Sequence, residues 1–147
     1  MISLKAQYAL RALIELAKAE PGEVSLIAEI AGSQRIPKKF LEQILLDLKH
    51  SGLVASRRGK MGGYQLLKAP DLVTFGEVLR IIDGPIAPLT CLSRMAYRRC
   101  EGCADEATCE IRRVFARVAE ATRAVLDNVT IADAIAGPRS VRVPVAS

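Results

Sequence analysis

A single histidine and the lack of any long apolar run set the first limits on this 147-residue chain. A membrane-spanning helix needs roughly 18 consecutive apolar residues, and the N-terminal stretch has helical apolar spacing rather than the apolar core of a signal peptide. We therefore expect a cytoplasmic protein with no membrane partner. With only His50 and no paired acid and base residues, the sequence shows no catalytic apparatus, so we do not expect an enzyme.

Cysteine is absent from most of the chain. All four cysteines fall within nineteen residues of a polar, arginine-rich stretch, at Cys91, Cys100, Cys103 and Cys109. Their spacing is C-x8-C-x2-C-x5-C, and thiols gathered in this way can converge on one metal ion or cluster. Because thiols stay reduced in the cytoplasm, a structural disulfide is the weaker interpretation.

Acidic residues are scarce between Gln34 and Lys68. Eight basic residues stand against two acidic ones there, a net charge of +6 compared with +5 for the whole chain. Clustered charge of this kind could simply keep a surface soluble. A basic segment that coincides with a helix and a glycine-rich hairpin, however, is typical of a surface that binds the phosphates of nucleic acid.

The first half of the chain predicts three helices within one small, mostly helical domain. Ser3 can cap a first helix that stops before Pro21, and Ser25 can cap a short second helix that Gly32 breaks. A third helix begins near Pro37, where a missing N–H costs little. Its apolar residues have helical spacing and should be buried: Phe40, Leu41, Ile44, Leu45 and Leu48. A short helix, a tight break and an amphipathic helix predict a helix-turn-helix whose second helix enters the DNA major groove.

A glycine-rich hairpin should follow the third helix. The sequence predicts strands at Leu53–Arg57 and Tyr64–Leu67, which would form a two-stranded wing. The tip of this wing carries side chains suited to phosphates or a narrow minor groove: Arg57, Arg58 and Lys60. A nucleotide-phosphate loop is the weaker interpretation, because neither GxGxxG nor GxxxxGK[ST] is present.

The C-terminal half predicts three further helices. Thr74 caps one at Phe75–Ile82, and Thr130 caps a last one at Ile131–Ile135. The longest periodic stretch, Ile111–Val129, carries an apolar stripe that a small domain cannot cover, so we expect a homodimer. We divide the chain into a DNA-binding domain (1–85), a cysteine loop (86–110), a dimerisation helix with a short terminal helix (111–136) and a disordered tail (137–147).

Taken together, these motifs resemble the Rrf-two family of bacterial transcription regulators. The similarity rests on IPKKFLEQILLDLKHSGLV, on SRRGKMGGYQL, and on VTFGEVLRIIDGPI followed by a cysteine loop. It covers the chain from Met1 to about Ile135. The resemblance implies a homodimeric winged helix-turn-helix protein that binds a double-stranded DNA operator, with the long C-terminal helix crossing into the partner.

The resemblance also implies roles for individual residues of the DNA-binding domain. Glu42 and Gln43 fall where family members face base edges from the recognition helix, and Arg58 falls where a wing arginine enters the minor groove. We expect contacts to the DNA backbone from a further set: Lys5, Tyr8, Lys38 and Lys39.

For the loop, the resemblance implies an iron–sulfur cluster of the 2Fe-2S or 4Fe-4S type. Cys91, Cys103 and Cys109 would be its ligands, with Cys100 or an outside group as the fourth. One branch of the family has a histidine ligand where this chain has Arg112. Zinc is the alternative, since four thiolates suit it, although the spacing is not the usual pair of CxxC motifs. A metal-free thiol–disulfide switch is the third interpretation, because nearby arginines would lower thiol pKa values.

Two classes of function remain open at this point. The first is a sensory transcription factor in which loop chemistry, responding to iron, redox state or nitric oxide, shifts the protein between operator-binding and free forms. The second is a small iron–sulfur redox protein with incidental basic charge. The +6 segment favours the first class, because an electron carrier needs no such surface.

Overall fold

The protein is mostly helical, as seen in a computed structural model that describes residues 2–60 and 62–138. Its elements are α1 (Leu4–Lys18), α2 (Ile27–Gln34), α3 (Lys38–His50), β1 (Val54–Arg57), β2 (Gly63–Leu66), α4 (Phe75–Asp83), α5 (Glu110–Leu126) and α6 (Ile131–Ala136). Three helices followed by a hairpin and a fourth helix confirm the predicted winged helix-turn-helix. Most of the tail predicted to be disordered, residues 139–147, lies outside the described residues.

The core forms where the apolar faces of α1 and α3 meet. Leu13 of α1 and Ile44, Leu45 and Leu48 of α3 have no solvent exposure. The prediction was wrong for Phe40, which is 37% exposed. Its ring lies edge-on to that of Tyr8, with ring centres 5.6 Å apart, so it packs at the rim of the core.

The start of α1 is fixed by Ser3, as predicted. Its hydroxyl accepts a hydrogen bond from the N–H of Ala6 at 3.0 Å, which satisfies one of the free donors at the helix N-terminus. The N–H of Ser3 in turn donates to a carboxylate oxygen of Asp83 at 3.0 Å. Because Asp83 is the last residue of α4, this contact ties the beginning of α1 to the end of α4.

Two predictions for the second helix were wrong. Ser25 does not cap it, because its backbone N–H and C=O both bond to the backbone of Tyr64 at 2.8 Å and anchor the wing. The carboxylate of Glu29 instead accepts from the N–H of Leu26 at 3.3 Å. Gly32 does not end the helix, which continues to Gln34. The turn falls at Arg35, whose φ of 54° lies in the left-handed region that side chains rarely adopt.

The wing is an antiparallel pair in which Val54 faces Leu66 and Arg57 faces Gly63. The Ser25 backbone passes so close to the second strand that a Cβ at position 63 would lie 2.5 Å from the Ser25 carbonyl oxygen. Only glycine fits there without displacement of backbone. Gly63 therefore allows the wing to pack against the residues just before α2.

The last two helices differ in whether their apolar residues are buried. Ile131 of α6 is buried in the core against α1, whereas Ala119 is the one buried residue of α5. Three large side chains of α5 are 45–62% exposed, and they form what we call the α5 stripe: Ile111, Val114 and Val118. None of the described helices is long and apolar enough to cross a membrane.

Candidate DNA-binding face and cysteine cavity

A groove of about 520 Å³ lies between α3, the start of α2 and the wing. Four of the residues that the sequence predicts to bind DNA line it: Lys38, Glu42, Arg57 and Arg58. The recognition helix and the wing thus present one continuous concave surface, which carries three positive charges and one negative charge. A surface of this shape and sign can follow a phosphate backbone while a helix reaches base edges.

The other predicted DNA contacts do not line this groove. Lys39 and Gln43 are exposed on α3, and Lys60 is exposed at the tip of the wing. Tyr8 of α1 is partly buried, because its ring packs against Phe40. The guanidinium group of Arg11 lies 5.9 Å from the centre of the Tyr8 ring, within the range of a cation–π contact.

Asp47 of α3 joins two of the predicted DNA contacts into one network. One of its carboxylate oxygens accepts from Lys5 Nζ at 2.7 Å, and the other accepts from Gln43 Nε2 at 3.1 Å. The hydrogen bond from Lys5 holds the pKa of Asp47 below its ordinary value. Sequence reasoning missed this residue. Its spacing of four from Gln43 was an available signal, but its contact with Lys5, 42 residues away, was not.

All four cysteines line a single cavity of about 440 Å³ between the loop and the N-terminus of α5. Cys91 lies on a 3-10 turn at Thr90–Leu92 and is 5% exposed. The backbone N–H of Cys103 donates to the carbonyl of Cys100 at 3.1 Å, which turns the chain between these two thiols. The four cysteines therefore line one space although they come from a stretch with little regular structure.

Cys109 forms the boundary between the loop and α5. Its Sγ accepts a hydrogen bond from the N–H of Arg112 at 3.4 Å, in the position where a helix usually has an oxygen acceptor. Cys109 is thus both a wall of the cavity and the start of α5.

The pKa values of the Cys91 and Cys100 thiols are shifted in opposite directions by their surroundings. Burial raises the pKa of Cys91, because removal from water disfavours the charged thiolate. A hydrogen bond with the hydroxyl of Thr90, 3.8 Å from its sulfur, lowers the pKa of Cys100. Cys100 is therefore the more readily ionised of these two thiols.

Side-chain hydrogen bonds hold the loop in shape. Nη2 of Arg99 donates to the carbonyls of Cys103 at 3.2 Å and Ala104 at 3.0 Å. The hydroxyl of Tyr97 donates to the carboxylate of Glu106, and this bond raises the pKa of Tyr97. The sequence indicated the arginines near the thiols only as positive charges. In the structure Arg99 binds the backbone of Cys103 and Ala104 and so positions Cys103.

The side chains around the cavity are of the chemical type that binds an iron–sulfur cluster. Such clusters take cysteine thiolates as ligands, and a thiolate-bound cluster is anionic. Arg112 also lines the cavity, and its buried Nε has no hydrogen-bond partner among the described residues, so it can donate to an anionic occupant. As they stand, the described side chains include no group of three or more Cys, His, Asp or Glu placed to hold one metal ion.

The fold and the basic groove define a winged helix-turn-helix DNA-binding protein, and comparison with known proteins identifies its family. The chain belongs to the Rrf2 (Rrf-two) family, whose model, described as an iron-dependent transcriptional regulator, matches residues 2–137. It is therefore a DNA-binding transcriptional regulator, as the sequence motifs predicted.

Individual relatives and solved structures are consistent with membership of this family. The chain is 52% identical over 139 residues, covering 92% of this chain and 93% of the relative, to an HTH-type transcriptional regulator of Rhodobacter capsulatus named rrf2-like. Its structure is similar to that of CymR, described as the global cysteine regulator of Bacillus subtilis, with a TM-score of 0.78 and 32% identity over 92% of this chain and 96% of CymR. It is also similar to the IscR of T. potens, with a TM-score of 0.72 and 26% identity over 92% and 86% of the two chains.

Proposed function

We propose that this regulator binds operator DNA as a homodimer and senses iron, redox state or nitric oxide through an iron–sulfur cluster, of the 2Fe-2S or 4Fe-4S type, held by its cysteine loop. Cys91, Cys103 and Cys109 would be ligands in this proposal, and Cys100 would be the fourth. When bound, the cluster would supply the redox and ligand-exchange chemistry of iron. The protein would act in the cytoplasm as a regulator rather than an enzyme.

One observation carries the cluster proposal. Four thiols that are the entire cysteine content of the chain line one cavity, together with an arginine whose buried Nε lacks a partner among the described residues. A disulfide pair would need only two thiols. The family description as iron-dependent supports iron over zinc as the occupant.

The groove supports distinct roles for the residues of the DNA-binding face. Glu42 and Gln43 would face base edges, because they are exposed on α3 beside or within the groove. Arg58 would enter the minor groove from the wing. The remaining predicted contacts would go to phosphates: Lys5, Tyr8, Lys38, Lys39, Arg57 and Lys60. Lys5 is bound to Asp47 in the free protein, so it would have to share its charge between that carboxylate and DNA.

The α5 stripe supports the proposed homodimer. Val114 is 60% exposed and Val118 is 45% exposed on a helix whose one buried residue is Ala119, and large apolar patches on a surface mark interfaces. In this proposal residues 1–85 bind DNA, residues 86–110 hold the cluster and α5 crosses to the partner. Two recognition helices related by a two-fold axis would then read two operator half-sites.

The cluster proposal is tested by purifying the full-length protein without oxygen and measuring its iron, its acid-labile sulfide and its visible absorption. We expect a coloured protein that contains both elements. Serine in place of Cys91, Cys103 or Cys109 should remove most of the colour, because a hydroxyl is a poor ligand for cluster iron. Thr108→Ala, which changes a cavity residue without a thiol, should retain it.

Cys100→Ser decides the fourth ligand. If Cys100 binds the cluster, this variant should hold a labile or smaller cluster; parent-like stability would assign the fourth position to another group. A colourless parent that binds one equivalent of zinc, even after reconstitution with iron and sulfide, would contradict the cluster and favour zinc. Reversible loss of thiols without any bound metal would instead favour a thiol–disulfide switch.

The DNA-binding roles are tested by fluorescence anisotropy at fixed salt with operator and random DNA. Glu42→Ala or Gln43→Ala should mainly change sequence preference, because a good hydrogen-bonded pair with a base is worth about 1–3 kcal/mol of discrimination. Arg58→Ala should weaken binding to both DNAs, whereas Lys18→Ala, at the exposed end of α1, should weaken neither. Equal losses on both DNAs for the Glu42 and Gln43 variants would contradict their assignment.

A further inference from the structure

A second cavity, of about 280 Å³, lies beside the cysteine loop. It is enclosed by α4, the segment after α4, the loop residues around Arg94 and the C-terminal half of α5. None of the four cysteines lines it. The cavity therefore belongs neither to the proposed cluster site nor to the DNA-binding groove.

The charges around this cavity do not balance. Arg80 is paired with Asp127 through two hydrogen bonds, of 2.6 and 3.1 Å. Arg94 and Arg123 also line the cavity, and neither forms a salt bridge with an acidic group in the part of the chain that the structure describes. Three guanidinium groups thus surround a space that contains one carboxylate, so the cavity favours an anion.

Arg123 supplies a second, independent sign of a missing partner. Its Nε is buried and makes no hydrogen bond within residues 2–60 and 62–138. Buried donors are nearly always satisfied, since an unpaired one loses its bonds to water without replacement. The planar guanidinium fork matches a carboxylate group, which can accept two parallel hydrogen bonds. A carboxylate in the cavity would supply the bond that Nε lacks.

The remaining walls of the cavity are apolar. Ile86 lies on the segment after α4 and Met95 on the cysteine loop, and both line the same space. A volume of about 280 Å³ is close to the lower end of the range for small-molecule sites, about 300–1,000 Å³. The cavity thus combines a cationic end with an apolar side at the size of a small molecule.

We propose that this cavity binds a small organic acid, with its carboxylate held by Arg123 and Arg94 and its short apolar part against Ile86 and Met95. This site goes beyond the proposed cluster function and does not depend on iron. Its walls come from α4 of the DNA-binding domain and from α5, so the ligand would contact both.

The proposal is tested by isothermal titration of the full-length protein with sodium butyrate, which has a carboxylate and a short apolar chain. Sodium chloride at matched ionic strength is the blank. We expect saturable binding of one butyrate per chain with a dissociation constant in the millimolar range or below. Arg123→Met should weaken it about tenfold or more, since a charge-assisted bond is lost. Arg117→Met, an equal change at an exposed arginine of the same helix, should bind butyrate like the parent.

Arg94→Ala provides a second variant in case Arg123→Met does not fold, since Arg94 is exposed on the loop, and it should also weaken binding. Failure of butyrate to bind saturably would overturn the proposal, as would unchanged binding by folded Arg123→Met and Arg94→Ala. Inorganic phosphate that binds as tightly as butyrate would overturn the assignment to an organic acid. None of these outcomes depends on whether the cysteine loop holds a cluster.

Discussion

The DNA-binding core and the cysteine loop are held together by different forces. In the core, α1 and α3 bury side chains such as Leu13 and Leu45 completely, so its stability comes mainly from removing apolar surface from water. Between residues 85 and 109, only Cys91 and Ser93 are buried. The loop keeps its shape through a few polar contacts. In the proposed cluster-bound form, a change of ligand would rearrange the loop without unfolding the core.

The largest expected effect comes from breaking the core itself. Leu45 has no solvent exposure and its neighbour Leu46 is 40% exposed. Leu45→Ala should lower the free energy of unfolding by about 2–5 kcal/mol, because it removes buried methyl groups and leaves a cavity. Leu46→Ala should change it by about 0.5 kcal/mol or less. Urea denaturation followed by circular dichroism measures both, and equal losses would mean that the α3 face is assigned incorrectly.

A smaller loss is expected where the wing meets α2. Gly63→Ala should destabilise the protein by about 1–3 kcal/mol, because the added Cβ meets the Ser25 backbone. The same substitution at Gly32, which lies inside α2 with nothing within 4 Å of the added Cβ, should stabilise it by about 0.5–1 kcal/mol. Thermal denaturation should show midpoints that move in opposite directions. A shift of the same sign for both variants would contradict the close approach at Gly63.

In the loop, Arg99→Ala should act locally rather than on the whole fold. The change removes both bonds to the loop backbone, so hydrogen exchange at the Cys103 amide should become faster while amides of α1 are unchanged. The free energy of unfolding should move by about 0.5 kcal/mol or less, since the site is exposed. The matched control is Arg98→Ala, because the side chain of Arg98 makes no hydrogen bond among the described residues; it should leave exchange unchanged. A large loss of global stability with Arg99→Ala would contradict this prediction and would mean that the loop contributes to the stability of the core.

The smallest expected effect is a pH dependence of the stability of the DNA-binding core. The pKa of Asp47 is lowered from 3.8 by its bond to Lys5. A depressed carboxyl pKa contributes stability above the unfolded-state value, and this contribution is lost as the pH falls through the lower folded-state pKa. Denaturation curves for the parent and Asp47→Asn should therefore differ at pH 6 and converge toward pH 3. A difference that grows as the pH falls would have the wrong sign.

The sequence predicted those parts of the molecule that local patterns determine. Helical spacing identified α3 and four of the five residues that it predicted to be buried there, and glycines located the wing. Polar pairs between distant residues could not be predicted from the sequence, because no spacing indicates that Lys5 meets Asp47 or that Arg80 meets Asp127. The errors have the same origin. Ser25 has the chemistry of a helix cap, but its backbone is used by the wing strand, a tertiary contact that overrides the local preference.

The thiol of Cys109 has a consequence for the mobility of α5. Its sulfur receives the Arg112 N–H at the first turn of α5, and loss of an N-terminal side-chain acceptor costs a helix about 0.5–2 kcal/mol in oxygen-capped cases. Oxidation, alkylation or coordination of this one atom alters that acceptor directly. The first turn, which carries Ile111 of the α5 stripe, would then fray more or less often. The loop would thus control how much of the stripe is helical at any moment, without any rigid movement of the two halves of the chain.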